Sequence, residues 1–194
     1  MTSLEQPPRV HALDAARADF HDQRRRVCGI VGCLSRNTFD ANPPLAVVRA
    51  LAQQGHFSTY DAEIRWSARI VVGHLGDSAR IFAERIRRVR REHEPRLHDF
   101  VTDEGARIDR YLNAVPGDLV DELEAAQDSL EAELAEVGVD ELSRPATHEV
   151  DGPLTLGDIV AFLPGHQRDH ADQLSLLAGA TRSGPPRSRR IRSV

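Results

Sequence analysis

Apolar residues recur at steps of three and four in several long stretches, each bracketed by turn-forming residues, which is the pattern of helices with one buried face. The most regular stretch runs Leu156, Ile159, Leu163, His166, His170, Leu174, Leu177. It follows Gly152-Pro153, where Thr155 can cap the first turn and Asp158, three residues on, gives the spacing of a capping box with Asp in place of Glu. It should end near Gly179. Pro164 and Gly165 lie inside the pattern and predict a kink, or the loss of one backbone hydrogen bond, just before His166.

A second helix is expected from a Ser67 cap to about Arg91, with Val71, Leu75, Ser78, Phe82, Ile86 and Val89 on its inner stripe. His74 flanks that stripe by roughly 60°, on the rim of the core face. Arg80, Arg85, Arg87, Arg88, Arg90 and Arg91 make its back a solvated face. A third helix after Pro116-Gly117 carries Leu119, Leu123, Ala126, Leu130, Leu134 and Val137 inward and ends before Gly138. Between Asp118 and Glu136 it has eight acids and no arginine, so as a neighbour of the second helix it would present the complementary charge, at modest gain. Residues 102–113 suggest a further short helix, and Ser143-Arg144-Pro145-Ala146 begins a loop back to the last helix.

Ahead of Trp66 the pattern is weaker. Helical stretches at 11–35 and 45–54 are separated by the breaker Asn42-Pro43-Pro44, and the segment 12–35 is favoured as the first bundle helix. The expected fold is all-α: a four-helix bundle with an irregular N-terminal region and a disordered basic C-terminal tail.

Composition adds limits. At 194 residues, 40% hydrophobic and 28% charged, the chain fits one helical domain over 1–180 followed by an Arg-rich tail over 181–194. All 25 basic residues are arginine, and the net charge of −5 conceals an asymmetry. Arg182, Arg187, Arg189, Arg190 and Arg192 face no acid in the tail, which leaves residues 1–180 at about −10. So acidic a body argues against a nucleic-acid groove as the main function. Cys28 and Cys33 have neither the number of a disulfide framework nor Cys-x-x-Cys spacing, and read as reduced, mostly buried thiols. With no apolar leader and no run near the 18 or so apolar residues of a membrane span, the expectation is a cytoplasmic protein without a membrane partner.

The candidate chemistry lies in the histidines. His166 and His170 are one helical turn apart, so both imidazoles lie on one face, and that face is the apolar stripe. Bundles build metal sites from such inward side chains on facing helices, and His74 supplies a third imidazole from a second helix. Three neutral imidazoles leave coordination positions open, as catalytic rather than structural ions require. Asp77, one turn from His74, can accept a hydrogen bond from the free ring nitrogen of that or a neighbouring histidine, and Asp169 is a second such acid. Either acid reads equally well as an ordinary helix-surface group. His11, His21, His56, His93, His98 and His148 show no partner pattern and read as surface or packing residues. Arg110 and Tyr111 fit either a pocket wall or a solvated loop.

The pattern Trp66-Ser-Ala-Arg-Ile-Val-Val-Gly-His74-Leu-Gly-Asp77, then Gly152-Pro-Leu-Thr-Leu-Gly-Asp158-Ile-Val and His166-x-x-Asp169-His170-x-x-Gln173, resembles the DinB-like or YfiT-like metalloprotein family. The resemblance covers roughly residues 64–179; ahead of residue 64 the family's usual first-helix and loop sequence is not recognisable. It implies a four-helix bundle, often a homodimer, with His74, His166 and His170 as ligands of zinc or nickel. It also implies a small-molecule substrate. The family includes mycothiol-dependent maleylpyruvate isomerases, bacillithiol S-transferases and metal-dependent hydrolases. The activity implied is attack of a low-molecular-weight thiol such as mycothiol, or of water, on a small electrophile. The alternative implied is a metal-binding, stress-associated bundle without turnover.

Overall fold

The computed structural model describes residues 6–55 and 61–182. Its helices are α1 (Gln6–Val31), α2 (Arg36–Asp40), α3 (Leu45–Gln54), α4 (Ala68–Arg91), α5 (Gly105–Asn113), α6 (Pro116–Ala135) and α7 (Leu156–Arg182). Three short strands intervene: β1 (Arg96–Leu97), β2 (Pro145–His148) and β3 (Gly152–Thr155). The long helices α1, α4, α6 and α7 form the bundle, with α7 touching α1 and α4, and α6 touching α4 and α1.

The local signals explain the boundaries. Ser67 stays extended and its hydroxyl accepts from the Ile70 amide, starting α4. At α7 the Thr155 hydroxyl accepts from the Asp158 amide while the Asp158 carboxylate accepts from the Thr155 amide, the reciprocal pair the sequence suggests. Pro164 removes one donor, yet α7 is helical on both sides of it and beyond Gly179 to Arg182. The first two residues of the expected tail are therefore helical backbone; residues 183–194 lie outside the described residues. At the end of α6, Arg17 donates to the carbonyls of Leu134, Ala135 and Val137, groups that a helix terminus leaves without partners.

The helical stretches expected at 11–35 and 45–54 appear as α1 and α3, with α2 and short breaks between them; α1 buries Leu13, Phe20, Val27 and Val31 against the bundle and is its first helix, running from Gln6 to Val31 rather than from 12 to 35. One expectation is corrected. The return from α6 to α7 is not only a loop. Pro145–His148 alternates exposed and buried residues and pairs antiparallel with β3, Thr147 opposite Pro153, and parallel with β1, Arg96 opposite Thr147. Pro145, with no amide to give, stands at the first position of its strand, where a sheet tolerates it. The all-α frame holds with this small sheet added.

The arginine face of α4 and the acidic face of α6 do meet: Arg87 pairs with Glu133 at 2.8 Å and Arg80 with Glu122 at 3.3 Å. Of the cysteines, Cys28 is half-buried and Cys33 exposed, both free, which corrects the expectation of buried thiols. Among the described residues no helix is long and apolar enough to cross a membrane.

The core divides along the bundle axis. One apolar cluster reaches Leu75 on α4, Leu123 on α6 and Ala171 on α7; the other begins at Ala79, Ala126 and Leu163 on the same helices. Between them Ser78, Gln127, Gln167 and the histidines form a polar layer.

Candidate metal centre

The structure brings His74, His166 and His170 together in that layer, with one candidate ligand atom from each inside 4.8 Å of the others. His74 Nε2 lies 3.1 Å from His166 Nε2, and the His170 ring centroid is 4.8 Å from each of the other two. His74 is 1% exposed rather than on a rim, because α4 is buried on every side from Val71 to Ala79. Two glycines permit this enclosure. A Cβ on Gly73 would stand 2.3 Å from the Tyr111 ring, and one on Gly76 would meet the α6 backbone at 3.5 Å.

The ring nitrogens are specified from behind. Gln173 Nε2 donates to the Glu63 carbonyl at 2.6 Å, which fixes the amide so that Gln173 Oε1 faces His170 Nδ1 at 3.0 Å. An amide oxygen only accepts, so Nδ1 carries the proton and Nε2 keeps its lone pair toward the other imidazoles. The Ser78 hydroxyl lies 3.2 Å from His74 Nε2, and His74 Nδ1 is buried with no hydrogen-bond partner. Burial holds all three rings neutral: the pKa values of His74 and His166 fall well below the ordinary one, with the adjacent imidazoles adding to the effect. For His170, burial outweighs the Gln173 contact and the value falls to about 4. Neutral imidazole is the form that binds a metal.

Glu63 sits in a 3-10 turn, Asp61–Arg65, just ahead of α4. It is 4% exposed, and its Oε2 is 3.6 Å from His170 Nε2. Burial raises its carboxyl to about 7 against the opposing hydrogen bond from Thr102. Aromatic rings enclose the centre. Trp66 stacks parallel to His170 at 6.3 Å, and Phe100 stacks on His74 at 5.7 Å, with the Arg107 guanidinium 4.5 Å from the Phe100 ring centroid. His166 alone of the three keeps some exposed surface, beside Phe162 at 5.3 Å and Phe82 at 6.2 Å. That side is the open one.

Asp77 does not support a histidine. Its carboxylate accepts from Tyr111 Oη, Arg107 and Arg110 of α5, each at 2.7 Å, and from Arg80 of α4 itself at 2.5 Å, and from none of the imidazoles. One turn along a helix is close enough for the contact, but the three guanidiniums and the phenol engage the Asp77 carboxylate instead. Asp169 is half-buried and outside the three-imidazole group. Tyr111 is fully buried and Arg110 half-exposed, on a helix rather than a loop. His148, read as a packing residue, is buried beside Arg85 and Asp151; His21 and His98 pair with acids at the surface, and His56 lies outside the described residues. Glu63, Phe100 and Arg107 escaped sequence reasoning, since none stands in a helical register with the histidines. Gln173 had a signal, three residues after His170.

The donor set suits a divalent ion. Three imidazole nitrogens converge in a buried layer, and a buried carboxyl group stands beside them.

A helical bundle with a three-imidazole group between two of its helices is the class these features define. The model of the DinB superfamily matches residues 14–174, and the chain belongs to that superfamily. The match extends well ahead of residue 64, where the sequence pattern was not recognisable. Among solved structures the chain is similar to YfiT from Bacillus subtilis, described as a probable metal-dependent hydrolase with an unusual four-helix bundle topology. The two share 16% identity and a TM-score of 0.69 over 94% of this chain and 91% of that one, a likeness of fold. No curated protein matches the chain.

Proposed function

We propose that the protein is a metal-dependent enzyme in which His74, His166 and His170 hold a divalent ion, zinc or nickel. Its reaction is attack of a low-molecular-weight thiol such as mycothiol, or of water, on a small electrophile. The observation that supports this best is the convergence of three neutral imidazoles, two of them buried and His166 partly exposed. When bound, the ion supplies Lewis acidity and makes a thiol or water a better nucleophile at neutral pH. The chain's own part is positional. Gln173 fixes the His170 tautomer, Trp66 and Phe100 exclude water from two sides, and Phe82 and Phe162 offer apolar surface at the entrance. Membership of the superfamily and the metal-dependent description of YfiT agree with this reading. Dimeric assembly belongs to the same proposal and is read by light scattering of the purified protein.

The test is elemental analysis and calorimetric metal titration of wild type and His166→Ala, with thiol-consumption and ester-hydrolysis assays on a panel of small electrophiles. The expected result is stoichiometric metal in the wild type, with metal and turnover lost and the helical circular dichroism kept in the variant. A wild type that takes up neither zinc nor nickel overturns the proposal. An ion whose loss with His166→Ala unfolds the bundle marks a structural centre instead.

A further inference from the structure

Along α7, Phe162, His166 and His170 follow one another at steps of four, so their rings stand in one line a turn apart. Exposure falls along that line: Phe162 is 46% exposed, His166 is partly exposed and His170 is fully buried. The facing helix repeats the order. Phe82, Ser78 and His74 of α4 also stand at steps of four, with Phe82 against Phe162 and His74 against His170. The exposed end of the centre is thus a pair of phenyl rings, 5.4 Å apart and tilted by 34°. Phe162 lies 5.3 Å from the His166 ring and Phe82 6.2 Å from it.

The two phenyls differ in what holds them. Phe82 is part of an apolar core cluster, whereas Phe162 lies outside both clusters. A single exposed apolar residue is ordinary on a protein surface and carries no message by itself. Phe162 is distinguished by its place, beside the most exposed of the three imidazoles and in contact with a second phenyl. A molecule that reaches the centre from this side meets imidazole with its leading atoms and phenyl with the group bonded next to them. Flat apolar groups pack on phenyl rings, offset or tilted, and shed water in doing so. A strongly hydrated group would lose water there and find no hydrogen-bonding donor or acceptor on either ring in return.

We propose that Phe162, together with Phe82, selects electrophiles that carry a flat apolar group, such as an aryl ring, next to the reacting atom. The proposal rests on the metal-dependent reading above and narrows its substrate class. Phe162 touches the body of the substrate and not the ion, so it sets preference among compounds without setting metal affinity.

The experiment loads the protein with zinc or nickel, whichever it takes up, and titrates it by calorimetry with acetohydroxamate and benzohydroxamate. Both chelate a divalent ion through the same two oxygens and differ in methyl against phenyl. The ratio of their affinities is compared in wild type, Phe162→Ala and Phe162→Tyr, with helical circular dichroism as the check on folding. Phe162→Ala should cut the preference for benzohydroxamate at least about fivefold, the contribution of one aromatic pair. Acetohydroxamate and metal affinities should stay at wild type, and Phe162→Tyr should keep the preference. The ratio of kcat/KM for aryl over alkyl esters should move in parallel.

An unchanged preference in Phe162→Ala overturns the proposal, and so does an equal loss for both probes. A wild type that binds the two probes equally overturns it without any variant. A kept preference with a smaller mass by light scattering makes Phe162 a subunit contact and overturns it likewise. A wild type that takes up neither metal overturns the reading of the centre as well, whereas metal uptake with a preference indifferent to residue 162 overturns this inference alone.

Discussion

Asp77→Asn removes a charge on which α5 depends, and its cost can be worked from the structure. The carboxylate is 9% exposed and receives four hydrogen bonds, three from guanidiniums and one from the Tyr111 phenol. Burial would raise its pKa, but the bonds from Tyr111, Arg80, Arg107 and Arg110 outweigh burial and hold it at about 2 against an ordinary 3.8. A carboxyl depressed in the folded state contributes stability that is fully present above its unfolded pKa and is lost as pH falls through the folded one. Nearly two units of depression correspond to about 2.5 kcal/mol at about pH 7, and roughly half of that is gone by about pH 3. Asparagine carries no charge and turns an N–H toward one of the donors, so the variant should be less stable by about 2–3 kcal/mol near neutrality. The penalty stays below the ~3–5 kcal/mol of a fully buried pair because Arg80 and Arg110, 44% and 41% exposed, recover water. Urea unfolding followed by far-UV circular dichroism at both pH values gives the difference directly. A loss under about 1 kcal/mol near pH 7, or one that fails to shrink near pH 3, refutes the reasoning.

Two further substitutions probe the same neighbourhood. Gly73→Ala would place a methyl 2.3 Å from Tyr111 Cδ1, forcing the ring away from α4 and from Asp77. A loss of at least about 1–3 kcal/mol in thermal or urea unfolding is expected, and an unchanged midpoint would show that the ring moves freely. Gln173→Leu removes the acceptor for His170 and the donor to the Glu63 carbonyl together. Metal affinity should fall about 10–100-fold by calorimetry, with Gln173→Glu, which keeps the acceptor, falling less; an unaffected Leu variant would show that the ring needs no such partner.

The residues that could be read from sequence share one property: their position follows from helix periodicity. Ser67, Thr155 and Asp158 announced two helix starts, and the stripes on α4, α6 and α7 put the correct side chains inside. His166 and His170 fell on one face for the same reason. Periodicity says nothing of what approaches from another element, and the remaining errors lie there. Asp77 was one turn from His74 by spacing, yet α5 brought three donors that engaged it first, two guanidiniums and a phenol. His74 seemed peripheral until Phe100 and Trp66 closed over it. Glu63 sits in a 3-10 turn and the strands span two to four residues, all too short for any period to show.

His74 and His166 meet at 3.1 Å across 92 residues of chain, and that separation imposes an order on synthesis. A ribosome adding about 5–20 residues per second completes α4 well before it reaches α7. Until then α4 has one imidazole and no counterpart, while α1, made first, waits for the same late helix as its main neighbour. If the imidazoles hold an ion as proposed, its loading is a terminal event in the birth of the protein, and a chain stopped ahead of residue 166 lacks both the second imidazole and the helix that completes the bundle.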